Sequence, residues 1–197
     1  AHRAGLVPVE VESSLAGSGH HGNAILVGEG VTVTGTATID LPSFEPRGAI
    51  VAELMVRGTP ATIVGVHLGL RAADRLRQAK AILAAINQSG DARRTIILGD
   101  TNAWSARSPA MATLSSSFQP SKPLKSFHSA MPVAPFDRLF LGENFRFRRI
   151  FVHRSANADV ASDHLPVCAE VDLVGLPAAN DGATQLEGAE PSNTSRS

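Results

Sequence analysis

The sequence has little of several residue types, and each scarcity excludes a class of protein. Its 197 residues contain one cysteine, one tryptophan and no tyrosine, and 18 basic residues balance 18 acidic ones. A single cysteine, Cys168, excludes an intramolecular disulfide and a cysteine-rich zinc site. Its place in an alternating strand pattern predicts a small buried side chain. The net charge of zero excludes nucleic-acid or membrane binding by overall charge, although a local basic patch is compatible with it.

Long apolar runs are also missing from the sequence. The most apolar stretches, residues 81–86 and 95–98, are far shorter than the roughly 20 residues that a transmembrane helix requires. With 43% hydrophobic and 18% charged residues, the composition is that of one soluble globular domain. We therefore expect a soluble protein with no stable membrane insertion, while the compartment, cytoplasmic or secreted, stays open.

Apolar patterning predicts many short strands and few helices. Alternating or continuous apolar runs predict strands at residues 23–27, 31–38, 48–56, 61–67, 94–98, 137–141, 145–152 and 166–173, the first two forming a hairpin. Apolar residues at helical spacing predict a helix over residues 76–86 that is closed by Gly90, and a second, short helix is expected around Met111 and Leu114. This pattern favours sheets covered by helices, a layered α/β architecture.

The ends of the chain differ in composition from its middle. The first 21 residues contain few large apolar side chains, which predicts an irregular approach to the first strand. From residue 177 onward the sequence offers almost no apolar surface to offset the entropy of ordering. We therefore expect one domain over residues 1–176 and a disordered tail over residues 177–197.

Titratable and amide side chains stand at the ends of separate predicted strands. They are His67, Asp100 with Asn102, Asp137, and Asp163 with His164. Singly, each has an ordinary explanation, because Asp and Asn after a strand cap turns and a lone histidine is a hydrogen-bonded core residue. Together they suit phosphate-ester cleavage, in which carboxylates hold a divalent cation and a histidine backed by a carboxylate moves a proton.

A serine-hydrolase site is a weaker interpretation of the same residues. Ser162, Asp163 and His164 are the three residue types of a catalytic triad, but neighbours in sequence cannot converge on one proton-transfer line. No G-x-S-x-G nucleophile elbow is present either. The sequence therefore favours attack by water over a covalent serine intermediate.

These motifs, in this order, resemble the metal-dependent endonuclease/exonuclease/phosphatase superfamily, which includes DNase I-like nucleases, sphingomyelinase-like phospholipases and inositol-phosphate phosphatases. The matching segments are residues 22–26, 47–49, 65–68, 99–102, 137–140 and 162–166. The resemblance covers about residues 22–173, and its most specific part is the G-D-x-N motif followed by D-R and S-D-H-x-P. It implies a four-layer α/β sandwich of two mostly antiparallel β-sheets flanked by helices.

The resemblance also implies catalytic roles. Asp100 would hold or orient the attacking water, and Asn102 would bind a phosphate oxygen or steady that water. His164, paired with Asp137, would stabilise the transition state or transfer a proton. His67 would contact the scissile phosphate.

A metal and a substrate contact are implied in the same way. The cofactor would be Mg²⁺ or Mn²⁺, with Asp163 and Asp100 at the metal site. Asn23 and Arg47 would contact the substrate. The substrate would be a phosphodiester or phosphomonoester, and nucleic acid, a phospholipid head group and a small phosphate ester all stay open. We expect a monomer.

The sequence departs from the superfamily at its start. There, a strand with an asparagine and a later strand with the metal-binding glutamate precede the G-N-A-I-L element, which begins here at Gly22. No matching strand is found before Gly22, so we expect an N-terminally truncated domain with weak metal binding. A catalytically impaired binding or scaffold module is therefore the alternative to a hydrolase.

A third hypothesis is a general nucleic-acid binder, based on the arginine-rich segment that ends at Arg154. Arg146 and Arg148 share one face of a strand while Arg149 points away. This alternation favours a solvated sheet edge over a surface that reads nucleic acid.

Overall fold

The computed structural model describes residues 5–10, 23–44 and 47–174. The strands within these ranges are β1 (Val7–Pro8), β2 (Leu26–Val27), β3 (Val31–Leu41), β4 (Arg47–Val56), β5 (Thr59–His67), β6 (Thr95–Asp100), β7 (Gln119–Pro120), β8 (Asp137–Leu141), β9 (Phe145–Val152) and β10 (Val167–Leu173). The helices are α1 (Ala72–Ser89), α2 (Pro109–Ser115) and α3 (Ala158–Ala161), with a 3-10 turn at Ala92–Arg94. The expected tail over residues 177–197 lies outside the described residues.

The largest described sheet has six strands in the order β3-β4-β5-β6-β8-β7. Neighbouring strands are antiparallel except β5 and β6, which run parallel. A parallel pair needs a long crossover, and α1 supplies it. The register aligns His67 with Asp100 and Asp100 with Asp137. Three predicted site residues therefore lie side by side across three adjacent strands.

Helices α1 and α2 cover one face of this sheet. Their buried apolar residues join those of the strands in one cluster, which includes Val64, Val66, Ile82, Ile86, Ile97, Met111, Leu114 and Phe140. Helix α1 ends where predicted, because Gly90 adopts a left-handed conformation with φ 92° and its N–H donates to the Ile86 carbonyl. None of the described helices is long and apolar enough to cross a membrane.

Two smaller antiparallel sheets complete the described fold, one pairing β9 with β10 and the other β1 with β2. The predicted hairpin of residues 23–27 and 31–38 is wrong, because β2 pairs with β1 while β3 pairs along its length with β4. The expectation of an irregular start is also wrong at Val7–Pro8, because these two residues form β1 and pair with β2. Short-range propensity identifies a strand but does not choose its partner.

Cys168 also differs from its prediction. It lies on β10 in the two-stranded sheet and is partly exposed rather than buried. An alternating pattern alone does not show whether another layer covers the strand, and here the coverage of Cys168 is incomplete.

Candidate active site

The ends of β5 and β6 bring His67 and Asp100 together. The Nε2 atom of His67 lies 3.4 Å from Oδ2 of Asp100. The other carboxylate oxygen accepts the backbone N–H of Asn102 at 2.8 Å. Asn102 has a left-handed backbone, with φ 48°, and its side-chain amide donates to the Leu68 carbonyl at 2.8 Å. Asparagine tolerates this conformation better than most residues. The turn after β6 can therefore place the Asn102 N–H against the Asp100 carboxylate.

Sterics explain why the first residue of the G-D-x-N motif, Gly99, is a glycine. Gly99 has φ 139°, and a Cβ atom at this position would lie 2.0 Å from the carbonyl oxygen of Val66 on the adjacent strand. Only glycine permits both this backbone conformation and this close approach. Gly99 therefore allows β5 and β6 to end side by side with His67 next to Asp100.

A second histidine–aspartate pair forms between β8 and the loop before β10. Nδ1 of His164 lies 2.8 Å from Oδ2 of Asp137. The hydroxyl of Ser126 donates to the same Oδ2 atom. Ser126 is fully buried, and its backbone carbonyl accepts the N–H of Leu165. Ser126 therefore ties the Asp137 carboxylate to the segment that carries His164.

The two pairs meet at Asp100. Nε2 of His164 lies 3.8 Å from Oδ2 of Asp100, the atom that also faces His67. All three side chains border an open cavity of about 680 Å³. The predicted residues that line it are His67, Asp100, Asn102, Asp137, Asp163 and His164. The structure thus brings the predicted catalytic set together, while the role of each member stays a prediction.

Burial and neighbouring charges move the pKa values of the two histidines in opposite directions. Burial lowers the pKa of His67, and the positive charges of Arg47 and His164 add to this while Asp100 opposes it. Burial also disfavours charged His164, but the hydrogen bond and charge of Asp137, helped by Asp100, outweigh it and raise the pKa of His164. The surroundings therefore stabilise the charged form of His164 and the neutral form of His67, each relative to a free imidazole.

The surroundings of Asp100 change the proton affinity of its carboxylate. Burial raises its pKa, against the opposing hydrogen bond from the backbone of Asn102 and the charge of His67. The site therefore contains groups whose environments separate their proton affinities, which is a property of acid–base sites.

The two predicted substrate contacts lie close to His67. Asn23 lines an adjoining cavity of about 190 Å³ together with His67 and Asp100. Its side-chain amide donates to the Gly48 carbonyl at 2.6 Å. Arg47 begins β4, and its charge acts on His67. Both residues are thus near the site, and contact with a substrate stays a prediction.

The predicted metal ligands meet the requirements of a cation site only in part. Asp163 and Asp100 border the same cavity and offer carboxylate oxygens, which are the donors that Mg²⁺ prefers. Among residues 5–10, 23–44 and 47–174, however, no three His, Cys, Asp or Glu side chains lie together as a metal-binding group. The described residues alone do not form a complete Mg²⁺ site.

Half of the residues that line this cavity are not among the predicted site residues. These residues are Leu70, Arg75, Trp104, Phe127, Phe136 and Ser162. The aromatic ones form a wall beside His164: the Trp104 and Phe136 centroids are 5.0 Å apart at 89°, those of Phe136 and Phe127 5.3 Å, and those of Phe127 and His164 5.0 Å. Ser126 was missed as well, since a serine in a proline-containing loop carries no periodic signal.

The arginine-rich segment lies apart from this cavity. Arg148 pairs with Asp172, and Arg149 Nη1 lies 3.8 Å from a carboxylate oxygen of Glu170 on β10. Arg154 similarly pairs with Asp159 at 3.3 Å. Carboxylates balance these charges at a sheet surface, which gives the general nucleic-acid-binder hypothesis no support.

Comparison with curated proteins finds distant relatives. No protein-family model matches the chain. The uncharacterized protein YbhP of Escherichia coli K12 is 26% identical over 172 residues, which cover 79% of this chain and 64% of that protein. The chain therefore spans less than two thirds of the length of this relative.

Comparison with solved structures establishes the fold. The human Nocturnin catalytic domain, solved with a bound sulfate anion, superposes with a TM-score of 0.67 at 16% identity, covering 88% of this chain and 74% of that one. An endonuclease/exonuclease/phosphatase from Bacteroides vulgatus superposes with a TM-score of 0.66 at 18% identity, covering 76% and 69%. The predicted fold class, the α/β sandwich of the endonuclease/exonuclease/phosphatase superfamily, is confirmed.

Proposed function

We propose that this chain, which has the endonuclease/exonuclease/phosphatase fold, hydrolyses a phosphodiester or phosphomonoester by attack of water on phosphorus. The observation that carries the proposal is the position of the Asp100 carboxylate between two histidines at one open cavity. Oδ2 of Asp100 lies 3.4 Å from Nε2 of His67 and 3.8 Å from Nε2 of His164. Such a group of proton donors and acceptors has no evident packing role, whereas it suits in-line displacement at a phosphate.

The two histidines would do different work. His164, oriented by the contact of its Nδ1 with Asp137, would donate a hydrogen bond from Nε2 to a phosphate oxygen as negative charge develops there. His67, favouring the neutral form, would contact the same phosphate from the other side of Asp100. Asp100, with its pKa raised by burial, would accept a proton from the attacking water as the water oxygen bonds to phosphorus. The P–O bond to the leaving alcohol breaks in the same displacement, the alcohol oxygen takes a proton from solvent, and Asp100 then releases its proton to solvent. Asn102 fixes that carboxylate through its backbone N–H.

We also propose that Mg²⁺ or Mn²⁺ supports the reaction, because Asp163 and Asp100 offer hard oxygen donors on the cavity wall. The roles proposed for His164, His67 and Asp100 do not depend on the ion, since the described residues contain no complete metal-binding group. Measuring activity with and without Mg²⁺ decides the point, and loss of activity on chelation is the expected result.

The experiment is hydrolysis of bis-p-nitrophenyl phosphate and p-nitrophenyl phosphate by the wild-type chain and two variants. His164→Ala removes the imidazole and should lower the rate at least about 10²-fold, the cost of losing one positioned acid–base or electrostatic group. His153→Ala is the matched control, because His153 is exposed and does not line the cavity. Equal rates for His164→Ala and wild type would refute the proposal.

A phosphate-ester-binding module without turnover is the second candidate. The observation that favours it is the incomplete metal-binding group among the described residues. If no hydrolysis is seen, calorimetric titration with inorganic phosphate measures whether the chain still binds phosphate, and so distinguishes a binding module from an enzyme. Binding that His164→Ala abolishes, with no turnover in Mg²⁺ or Mn²⁺, would support the module over the enzyme.

A further inference from the structure

Trp104 combines strong exposure with a fixed position beside the reactive groups. It is 66% exposed, and it lines the same cavity as His67, Asp100 and His164. Its only ring contact among the described residues is with Phe136, an edge-to-face contact with centroids 5.0 Å apart. A large aromatic surface therefore faces solvent at the mouth of the cavity, where a bound molecule would meet it.

The loop that carries Trp104 is held in place by buried groups. Both the backbone N–H and the hydroxyl of Thr101 donate to the Phe136 carbonyl, at 2.9 and 2.7 Å. The guanidinium of Arg138, itself buried, donates to the carbonyl of the fully buried Ala103 at 3.3 Å. These contacts fix the backbone up to the residue before Trp104. The exposed indole is thus held near the cavity at little cost in ordering when a ligand binds.

We propose that Trp104 determines substrate specificity by stacking on a planar ring next to the scissile phosphate, and that the substrates are nucleotidyl esters with an unpaired base. The inference rests on the proposed phosphoesterase function and deepens it. Aromatic side chains beside a phosphate site are the usual platform for unpaired bases, because every base presents a π-face. The chain of ring contacts from Trp104 through Phe136 and Phe127 to His164 places this platform next to the group that would hold the phosphate.

Arg75 adds a cation to the same cavity. It lines the wall, and its Nη1 donates to the Gly69 and Leu70 carbonyls at 3.2 and 2.5 Å, which hold the guanidinium in place. A single nucleotidyl phosphate would meet the guanidinium of Arg75 and the imidazole of His164 on this wall. A base within a duplex stays stacked on its neighbours and cannot present its face to Trp104. The expected ligands are therefore single-stranded nucleic acid or free nucleotides.

A lipid surface is the competing interpretation, since Leu70 on the same wall is 64% exposed. The acidic groups Asp100, Asp137 and Asp163 also border this cavity. They would repel any extended anionic surface, whether a membrane or the backbone of a long strand, whereas a nucleotide or the end of a strand brings one phosphate that Arg75 and His164 can face. The rings of Phe136 and Phe127 also connect Trp104 to His164 through successive ring contacts. We therefore favour the nucleotide ring over the acyl chain as the partner of Trp104.

Intrinsic fluorescence tests the inference directly, because Trp104 is the only tryptophan and the chain has no tyrosine. Adenosine monophosphate and a single-stranded oligothymidylate should quench the emission with saturation. Glycerol 2-phosphate and a blunt duplex of the same length should not. Quenching by adenosine monophosphate but not by the oligothymidylate would show that the site takes free nucleotides rather than strands. Either result supports the proposal. A blue shift on phosphatidylglycerol vesicles together with no response to nucleotides would overturn it.

Variants separate stacking from general binding. Trp104→Leu should weaken binding of a labelled oligothymidylate, measured by anisotropy, about 5- to 150-fold, the value of one base–aromatic stack. Trp104→Phe should restore most of the affinity. Phe44→Leu is the matched control, because Phe44 is 77% exposed but its ring is covered by the Arg71 guanidinium at 4.4 Å. Equal affinities of wild type and Trp104→Leu would refute the inference.

The two proposals fail independently. Binding and fluorescence are measured without turnover, so a chain that does not hydrolyse phosphate esters can still show the ring preference. A chain that hydrolyses ring-free and ring-bearing esters equally, and in which Trp104→Leu changes neither, would retain the proposed function and lose this inference.

Discussion

The charge of Asp137 should stabilise the folded chain more at low pH than at high pH, and Asp137→Asn tests this. The variant keeps the shape of the side chain and removes its charge. In the wild type Nδ1 of His164 lies 2.8 Å from Oδ2 of Asp137, and the two side chains are only 24% and 21% exposed. Because solvent screens this pair only in part, the hydrogen bond to the Asp137 carboxylate should be worth about 1.5–3 kcal/mol, near the upper end when His164 is charged and near the lower end when it is neutral.

The direction of the pH dependence follows from the raised pKa of His164 in the folded state. A group with a raised pKa stabilises the fold fully below its unfolded pKa, here about 6.5, and this stabilisation is lost as the pH rises through the higher folded value. Asp137→Asn should therefore lower the free energy of unfolding by about 1.5–3 kcal/mol near pH 5.5. Near pH 8.5 the cost should be smaller by about 1 kcal/mol or more.

Urea unfolding at the two pH values measures the difference, and NMR titration of His164 checks its cause. Asp172→Asn is the matched control, because Asp172 is a surface partner of Arg148, whose charge does not change over this range. Its cost should be small and equal at both pH values, because solvent screens an exposed ion pair. If Asp137→Asn costs the same at both pH values, or more at the higher one, the inferred His164–Asp137 charge pair is wrong.

Two further pairs of variants test the framework of the site. Ser126→Ala should destabilise the chain by about 1.5–3 kcal/mol, because the Ser126 hydroxyl donates to a carboxylate. Ser121→Ala should cost only about 0.5–1.5 kcal/mol, because the Ser121 hydroxyl accepts a backbone N–H. Equal losses of unfolding free energy in urea would contradict this difference. Gly99→Ala should cost about 2–5 kcal/mol, since its Cβ would strike the Val66 carbonyl. Gly58→Ala, with open space around it and φ 82°, should cost only about 1 kcal/mol, and a similar melting temperature for both variants would rule out the steric argument.

Local patterns were sufficient where neighbours in sequence determine the structure. The strands at Asp137–Leu141 and Phe145–Val152 have the predicted bounds, and α1 ends at the predicted glycine. In each case period-two or helical spacing of apolar residues, or a glycine with a left-handed backbone, is decided within a few residues. The hairpin prediction failed because strand pairing depends on partners far away in sequence, here Val7–Pro8 for β2 and Arg47–Val56 for β3.

The convergence of the site residues depends on sheet register, which explains both what the sequence predicted and what it missed. Parallel pairing of β5 with β6 sets His67 beside Asp100, and antiparallel pairing of β6 with β8 sets Asp137 on the other side. A shift of one residue in either pairing would turn one of these side chains to the opposite face of the sheet and separate it from Asp100. Strand-end motifs mark the residues that gather there, but Ser126 and Trp104 lie on loops. Hydrogen bonds from Ser126 to Asp137 and from Thr101 to the Phe136 carbonyl position these loops, and no periodicity predicts them. Apolar periodicity therefore identifies the strands that carry Asp100 and Asp137, and it does not identify the loops that carry Ser126 and Trp104.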